Sequence, residues 1–389
     1  MKSVTFVVYN IGDSVQERGG GTGVFILSLL EMLRQYSDSG KILLETIELR
    51  HRTGLRGEVR LGKLFRDVRM FANDFKKILS CKSDLLLWVY PKTPIIAFTG
   101  ERHFLILARI GYCLLKIKKI FSNVKVATVI EEIIVELRNY MGLGVKHVKM
   151  TNKIERQIFC LSDVLLAPSE LMLNFIDKKH GLKNKMWINY RRDVYIKLRD
   201  GVIEKWINPN KEKINILCSG GLMLAQENLM KIILQIKDIQ TAHLYICGIG
   251  GEWIADLISR NGVSNAEFVG TLSYEEHDYL ASRCDFGLIH YRPGHYHDFK
   301  TTIKYCSYVA NGLAILSHGL KTIQEAIDEE GVGEAVDEDM FLAKLRLWAS
   351  SRDNFIKFKK KAEEMAEKYQ NGYYIKIWLD ELFSLCQKD

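Results

Sequence analysis

The stretch Ile214-Asn215-Ile216-Leu217-Cys218-Ser219-Gly220-Gly221 decides the fold, because an apolar run that ends in two glycines is typical of a buried parallel strand followed by a tight turn. The chain opens in the same way, with a strand candidate at Val4 to Asn10 and a glycine-rich segment at residues 12–23. Between these two starts, the polar and strongly charged segment Arg191 to Lys213 is the best linker candidate. The sequence therefore predicts two α/β units.

Short apolar runs alternate with helical periodicity in both halves, which is the pattern of parallel sheets covered by helices. A length of 389 residues also exceeds one ordinary hydrophobic core. Helices are predicted at Val24 to Tyr36, Lys153 to Leu161 and Tyr373 to Leu385. The other predicted strands are Leu43 to Leu49, Asp84 to Tyr90, Val124 to Ile130, Val164 to Ala167, Met186 to Tyr190, Ala242 to Cys247, Ala266 to Val269, Phe286 to Tyr291, Leu313 to Ser317 and Gly333 to Val336.

Composition places the chain among globular proteins, with 47% hydrophobic and 26% charged residues. The eight cysteines are scattered singly, which favours free thiols in a reducing cytosol. The longest apolar stretch, Phe104 to Leu115, is interrupted by Arg109 and is too short to span a bilayer. The opening run Ser3 to Tyr9 is too brief for a signal peptide. These features predict a cytoplasmic protein that is soluble or peripheral to a membrane.

The net charge of +8 is concentrated in the first half of the chain. Such a surface suits anionic lipid headgroups at the inner face of the cell membrane, or a pyrophosphate-linked substrate; an ordinary set of solvated helix faces is an equally weighted alternative. Nucleic acid is disfavoured, since no aromatic-basic interleaving is found, and homo-oligomerisation is left open. The basic residues concerned are Lys63, Arg66, Arg69, Lys76 and Lys77 on one predicted helix, and Lys116 to Lys119 at the end of the next.

Glycine turns follow several predicted strands, at the strand ends where open parallel sheets bind ligands. Gly19 to Gly23 opens a helix, but its spacing is neither a dinucleotide fingerprint nor a P-loop. Ser219-Gly220-Gly221, Cys247-Gly248 and Gly270-Thr271 repeat the pattern in the second half. Each could be a simple tight turn, whereas three in one sheet favour backbone amides that line a ligand.

Two adjacent carboxylates, Glu131 and Glu132, follow the fourth predicted strand. A carboxylate at the end of a strand can act as a general base, particularly when burial raises its pKa. The alternative is a capping or salt-bridged pair, which is the commoner role for such residues in a loop.

The segment from His290 to Lys304 combines a strand end, a polar aromatic loop and a helix that starts near Thr301. Arg292, Lys300 and Lys304 place cationic donors near that helix start, which suits a diphosphate. The histidines of this segment match no common metal-site spacing, and Asp337-Glu338-Asp339 is better explained as a helix cap. We therefore predict neither a metal nor a cofactor.

The residues Thr302 to Ala314 resemble the Pro-x-Lys-x-x-Glu-Tyr-x-Ala-x-Gly-x-Pro motif in the nucleotide-sugar site of many GT-B glycosyltransferases. Lys304, Tyr308, Ala310 and Gly312 match in register, both prolines are missing, and Ser307 stands where the ribose-binding glutamate is usual.

The first half is similar to one branch of these enzymes, which contains the adhesin-glycan glucosyltransferases and galactofuranosyltransferase-like enzymes. Residues 130–138 resemble its Ile-His-Asp-Ile-x-x-Leu-Arg run, with Glu131 and Glu132 in place of the histidine and aspartate. Residues 155–163, Ser169 and Met172 resemble a second pattern of that branch.

The resemblance implies a GT-B fold of two Rossmann-like domains facing across a cleft. An acceptor domain would span residues 1–190, a linker 191–213 and a nucleotide-sugar domain 214–365, with a C-terminal helix in 366–389 packing back on the first domain. It also implies transfer of a sugar, usually from a UDP-linked donor and without a metal, to a glycan or lipid-linked acceptor, with Glu131 or Glu132 as the base. The predicted donor-binding residues are Gly20, Gly21, Thr22, Gly220, Gly221, Gly248, Gly270, Thr271, Tyr291, Arg292, Lys300, Thr301, Thr302, Lys304 and Tyr308.

Two other functions fit the same pattern. A GT-B sugar-nucleotide epimerase would share the fold and the donor pocket, and a non-catalytic partner subunit would keep the fold without the chemistry. A dehydrogenase is disfavoured, because the first glycine loop lacks the required spacing.

Overall fold

The computed structural model describes residues 2–9, 21–49, 60–90, 102–140, 148–182, 185–190, 195–197, 203, 207–222, 226–292 and 294–386. Its contacts divide the chain into two compact units. Unit 1 comprises Met1–Gly12, Leu29–Tyr190 and Ile377–Asp389, and unit 2 comprises Asp13–Ser28 and Arg191–Lys376. Each unit holds one six-stranded sheet in which every pairing is parallel, so the predicted α/β class is confirmed.

Strands and helices alternate in the first half of the chain. The elements are β1 (Lys2–Tyr9), α1 (Gly21–Asp38), β2 (Ile42–Leu49), α2 (Arg60–Ser80), β3 (Leu85–Tyr90), α3 (Arg102–Ser122), β4 (Lys125–Ile130), α4 (Ile134–Tyr140), α5 (Val148–Leu161), β5 (Val164–Ala167), α6 (Glu170–His180) and β6 (Met186–Asn189). Each of the strands β1 to β5 is followed by at least one helix, and β6 ends the series.

The sheet of unit 1 has the order β2-β1-β3-β4-β5-β6. Strand β3 is buried along its whole length, and β4 is buried from Val126 to Ile130. Burial on both faces explains why these strands are continuous apolar runs rather than alternating ones. The connection direction reverses between β1 and β3, which makes that point the topological switch of the first sheet.

The second half continues the same pattern. Its elements are β7 (Ile214–Ser219), α7 (Gln226–Ile236), β8 (Ala242–Cys247), α8 (Glu252–Arg260), β9 (Ala266–Gly270), α9 (Tyr274–Ala281), β10 (Phe286–His290), α10 (Ile303–Ala310), β11 (Ala314–His318), α11 (Lys321–Glu330), β12 (Gly333–Ala335), α12 (Glu338–Ser350), α13 (Ile356–Gln370) and α14 (Tyr373–Leu385), with short 3-10 turns at His295–Asp298 and Arg352–Asn354.

The sheet of unit 2 has the order β12-β11-β10-β7-β8-β9. Successive residues of its strands enter two different apolar clusters, as Ile216 and Leu217 do, so helices cover both faces. Strands β8 and β9 extend from β7 on one side and β10 to β12 on the other. The switch point of this sheet therefore lies between β7 and β10.

The structure also bears on the predictions about the linker, the cysteines and membrane spans. The described residues between 191 and 213 contain no helix or strand, only an isolated bridge from Ile196 to Asn371. All eight cysteines lie in the described part of the chain and are free thiols. Among the described helices none is long and apolar enough to cross a membrane. The predicted domain boundaries stay predictions; unit 2 includes residues 21–28, which the sequence analysis assigns to the first domain.

Candidate functional site

The switch point of unit 2 brings together the two segments that the sequence analysis selected for a nucleotide sugar. The turn at Gly220 and Gly221 directly follows β7, and the segment 291–302 follows β10. Since β7 and β10 are neighbours in the sheet, both loops leave the same edge. That edge is where open α/β sheets bind their ligands.

Three glycine turns lie side by side along this edge. The amide of Gly220 donates to the carbonyl of Cys247 (3.0 Å), and the amide of Gly248 donates to that of Gly270 (2.9 Å). Gly220, Gly248 and Gly270 all have positive φ, at 123°, 142° and 84°. A Cβ at Gly248 would lie 1.8 Å from the carbonyl oxygen of Gly220, so no side chain fits there.

Lys304 lies directly against this row of glycines. A Cβ added at Gly220 would be 2.4 Å from its Cε atom and 2.9 Å from its Nζ atom, so the lysine side chain passes across the bare glycine. The Nζ atom also lies 4.8 Å from the centre of the Tyr291 ring. Among the residues that the structure describes, no carboxylate forms an ion pair with Lys304. The ammonium is thus held at the switch point with its charge available to an anion.

Tyr291 and Thr302 fix the start of α10 beside this lysine. The hydroxyls of Tyr291 and Thr302 are 3.2 Å apart, and Thr302 caps α10 by accepting from the amide of Lys304 (3.4 Å). Burial acts to raise the pKa of Tyr291, but the positive charges of Lys304 and Lys300 outweigh it and hold that pKa below its usual value. The two lysine charges make this corner electropositive.

The loop between β10 and α10 is held by His297. Its Nδ1 atom donates to the carbonyl of Arg292 (2.7 Å), and burial is the main cause that lowers its pKa to about 4. This neutral imidazole closes the turn and leaves the Arg292 side chain exposed. Lys300 is half-buried, with its Nζ atom 5.3 Å from the Tyr296 ring and its carbonyl accepting from Thr322 (2.5 Å).

Thr301 and Thr271 complete the predicted donor residues on these loops. Thr301 is 4% exposed, and its hydroxyl has no hydrogen-bond partner among the described residues. A buried orphan hydroxyl beside the start of α10 is a group that a ligand could satisfy. Thr271 is exposed at the end of β9, with its hydroxyl 3.5 Å from the carbonyl of Gly248, and Gly221 is exposed with open space around it.

Tyr308 supports the site from beneath. It is fully buried, its hydroxyl accepts from the amide of Ser219 (3.0 Å), and its ring fills the space left by the missing side chain of Gly287. Burial raises the pKa of Tyr308 well above its usual value, so the phenol stays neutral. The residue shared with the GT-B motif therefore positions the turn after β7 rather than reaching toward a ligand.

Ser307 belongs to a separate internal network. It is 7% exposed, and its carbonyl accepts from the side chain of Asn311 (2.9 Å). Asn311 also donates to Asp278, which accepts a second hydrogen bond from Tyr195. The position where the related motif has a ribose-binding glutamate is thus used here to tie the segment around Tyr195 to α9 and α10.

A histidine pair that was not predicted from the sequence lies at the same edge. His290 and His318 end β10 and β11, are paired in register, and have ring centres 5.0 Å apart. His318 donates from Nδ1 to the carbonyl of Val336 (2.9 Å), while His290 Nδ1 and His318 Nε2 have no partner among the described residues. Burial, then the charges of His318, Lys231 and Lys304, lower the pKa of His290 to about 3. The signal available in the sequence was a histidine closing each of two neighbouring strands.

Two cysteine thiols beside the site, Cys218 and Cys247, are protonated and unreactive. Burial raises the pKa of Cys218, and raises that of Cys247 to about 12, although Lys304 acts in the opposite direction on both. Both stay protonated at neutral pH and are poor nucleophiles.

The predicted general base belongs to unit 1. Glu131 directly follows β4, is 9% exposed, and its amide donates to the carbonyl of Tyr90 at the end of β3 (3.1 Å). Glu132 is half-buried in the same turn, which leads into α4. Both carboxylates therefore lie at the carboxyl edge of the first sheet, and Glu131 is the more buried of the two.

Residues 155–163, Ser169 and Met172, which resemble the second pattern of that branch, make contacts that hold elements of unit 1 together. Glu155 is fully buried and accepts from Tyr90 (2.5 Å), Lys179 (2.7 Å) and His180 (2.7 Å). Asp163 accepts from the amide of Val126 (2.8 Å) and from Lys119 (2.6 Å).

Ser169 and Met172 of that pattern begin α6. Ser169 caps the helix by accepting from the amide of Met172 (3.1 Å), and the Met172 side chain is fully buried. Together with Glu155 and Asp163, they connect β3, β4, α5 and α6, which explains these residues without a contact to a substrate.

Some predicted site residues cannot be placed. Gly20 lies outside the described residues, and Gly21 and Thr22 are the first two residues of α1, with side chains that also lie outside them. Asp337 stands at the N-cap position of α12 as predicted, but its side chain accepts no capping hydrogen bond. Within the described ranges, no group of three or more histidine, cysteine or acidic side chains is arranged to hold a metal ion.

Comparison with known proteins identifies the fold. No protein-family model matches the chain, and no curated protein matches its sequence. Among solved structures it is similar to a sucrose-phosphate synthase from Thermosynechococcus elongatus (TM-score 0.66, 12% identity, 99% of both chains). It is also similar to Anabaena HepE in complex with UDP and glucose (TM-score 0.63, 10% identity, 99% of this chain and 100% of the other).

A third similar structure is a putative UDP-N-acetylglucosamine 2-epimerase from Listeria monocytogenes (TM-score 0.58, 9% identity, 100% of this chain and 97% of the other). At such low identity these similarities establish the fold alone. The protein has the GT-B fold, with two parallel six-stranded sheets.

Proposed function

We propose that the protein is a glycosyltransferase that moves a sugar from a UDP-linked donor to a hydroxyl group of a surface polysaccharide or a protein-linked glycan. The observation that carries this proposal is Lys304, whose side chain crosses Gly220 at the switch point of the second sheet. Its charge is not neutralised by a described carboxylate, which is what a diphosphate site requires. The fold is shared with HepE, which was solved with UDP and glucose.

In the proposed reaction the donor diphosphate is bound by unit 2. Lys304, Arg292 and Lys300 supply positive charge, and the N-terminus of α10 adds positive potential beside them. The acceptor hydroxyl oxygen forms a bond to the anomeric carbon while the bond from that carbon to the diphosphate oxygen breaks. The diphosphate departs with the electron pair, and these cations stabilise its charge without a metal ion.

The proton of the acceptor hydroxyl passes to a carboxylate of unit 1. Glu131 is the preferred base, because it directly follows β4 and is the more buried of the two carboxylates. Glu132 is the alternative, in the same turn.

Binding and product analysis test this function together. UDP affinity is measured by calorimetry for the wild type, for Lys304→Ala, and for Lys361→Ala as a control on the exposed face of α13. Loss of a charge-assisted hydrogen bond predicts a decrease of about 1.5–3 kcal/mol for Lys304→Ala alone. Equal affinity in all three proteins would remove Lys304 from the donor site.

Product analysis with a panel of UDP-sugars and glycan acceptors separates the transferase from its alternatives. Acceptor-linked sugar together with free UDP is the expected result. The similarity to a putative epimerase favours a second candidate, sugar-nucleotide epimerisation. An altered sugar, with or without release of UDP, and no acceptor-linked product would replace the transferase proposal with that function.

A further inference from the structure

An exposed apolar stripe runs along α3 in unit 1. Ile106, Ile110, Ile117 and Ile120 are exposed, and so is Phe121, which is 85% exposed. With the exposed Cys113, the four isoleucines recur at alternating steps of four and three residues, and Phe121 lies four residues after Ile117, so all six positions share one face of the α-helix. Large side chains in such a row are unusual on a protein surface that meets only water.

The opposite face of α3 is already packed. Ala108, Gly111, Leu115 and Lys118 are buried, and a Cβ at Gly111 would lie 2.4 Å from the ring of Phe75 in α2. Lys118 donates to the carbonyls of Leu79 and Cys81 at the end of α2 (3.1 and 2.7 Å). The exposed stripe is therefore additional to the face that α3 buries, and α2 lies beside it.

Charges of one sign accompany the apolar stripe. Arg109 and Lys116 are exposed on α3, and Arg69, Lys76 and Lys77 are exposed on α2. Among the side chains that the structure describes on these two helices, every exposed charged one is basic. The one described acid, Asp74, is half-buried, and burial raises its pKa to about 6.

We propose that the exposed face of α3, with the basic residues on it and on its neighbour α2, docks on the surface of an anionic lipid membrane. Apolar side chains would enter the boundary between headgroups and acyl chains, while the flanking lysines and arginines meet the lipid phosphates. A second copy of the chain is disfavoured, because a symmetric pair would bring the same basic residues against each other. The inference does not depend on the proposed sugar transfer.

Vesicle flotation of the full-length protein tests the proposal. Vesicles of phosphatidylcholine, with and without phosphatidylglycerol, are mixed with wild-type protein and with two double variants. Ile117→Asp with Ile120→Asp should lower partitioning at least roughly tenfold, because two inserted apolar side chains are replaced by charges. Arg109→Gln with Lys116→Gln should lower partitioning about twenty-five-fold, and on phosphatidylglycerol vesicles only, because each basic residue contributes about a factor of five.

Matched controls separate docking from folding. Met340→Asp with Leu347→Asp changes two exposed apolar residues of α12 in unit 2 and should float like the wild type. The basic variant alters only exposed side chains, so unchanged circular dichroism keeps its result interpretable. The proposal is overturned if wild-type protein fails to float with anionic vesicles or if both α3 variants float equally well. It is also overturned if the wild type is a dimer that the isoleucine variant dissociates while vesicle binding is absent.

Discussion

At the scale of single residues, Lys304 and Gly220 depend on each other although they are far apart in sequence. The positive φ of Gly220 disfavours any side chain, and the space where a Cβ would stand is filled by the lysine. Burial of the neighbouring Cys218 and Cys247 keeps both thiols neutral, so they do not compensate the ammonium. The cation is thus positioned by backbone conformation as well as by its own helix.

The carboxylates after β4 allow a sharper test of chemistry. Glu131→Gln keeps the shape of the side chain and removes the basic oxygen, so turnover should fall by roughly 10²–10⁴ while UDP affinity stays unchanged. Glu132→Gln, measured in the same single-turnover assay, is the internal control. Loss of activity in Glu132→Gln alone would assign the base to that residue instead. Full activity in both variants would show that the pair is structural.

At the scale of elements, the strands were predictable because of how they are buried. All twelve predicted strands are present, with ends that differ by only one or two residues, as for β9, which ends at Gly270 rather than Val269. A parallel strand covered on both faces is a continuous apolar run, and a glycine turn ends it. Helix α4 was not predicted, since its seven residues are too few to show a period.

The candidate site was predictable only in part. Local patterns identified the glycine turns and the segment from His290 to Lys304, because strand ends and helix starts are encoded nearby in sequence. The contact of Lys304 with Gly220 and the pairing of His290 with His318 depend on strand order, which local patterns do not contain. Glu155 was selected by resemblance, and only its three hydrogen-bond donors show that it joins elements together.

The network around Glu155 should be important for stability. Burial disfavours its carboxylate, but hydrogen bonds from His180, Lys179 and Tyr90 outweigh burial and hold the pKa of Glu155 below its usual value. Glu155→Ala leaves these donors without their shared acceptor and should lower the free energy of unfolding by about 3–5 kcal/mol.

Urea denaturation measures the effect of Glu155→Ala. Glu170→Ala, in the exposed first turn of α6, is the matched control and should change stability by less than about 0.5 kcal/mol. A similar small change in both variants would mean that water or rearranged side chains replace the carboxylate.

At the scale of the whole molecule, each unit has its own sheet, its own apolar core and its own switch point. The candidate cations are in unit 2, and the candidate carboxylates follow β4 in unit 1. Acidic pH should affect the units differently. The imidazoles with pKa values lowered to about 3 and 4, His290 and His297, both belong to unit 2.

These two histidines make the folded protein sensitive to mild acid. In the unfolded chain a histidine has a pKa near 6.5, so between that pH and the folded pKa the unfolded state binds more protons. The stability that the two neutral imidazoles provide is complete above about pH 6.5 and is lost progressively as the pH falls toward 4 and 3. Lowering the pH from 7.5 to 5.5 should therefore remove about 1 kcal/mol per histidine. Asp74 has the opposite effect on the free energy of unfolding. Because burial raises its pKa to about 6, the folded state gains stability from this residue as the pH falls from about 6 to 4.

Urea midpoints at pH 7.5 and 5.5 measure this sensitivity in the wild type and in His290→Asn. Asparagine is uncharged at both values, so the variant should lose less stability on acidification than the wild type, whatever its stability at pH 7.5. His180→Asn in unit 1 is a useful comparison, since it removes a donor to Glu155 and should lower stability at both pH values. If the wild type and His290→Asn lose the same free energy of unfolding on acidification, His290 accepts a proton in the folded protein as readily as in the unfolded chain. The acid sensitivity of the protein would then have to come from other groups.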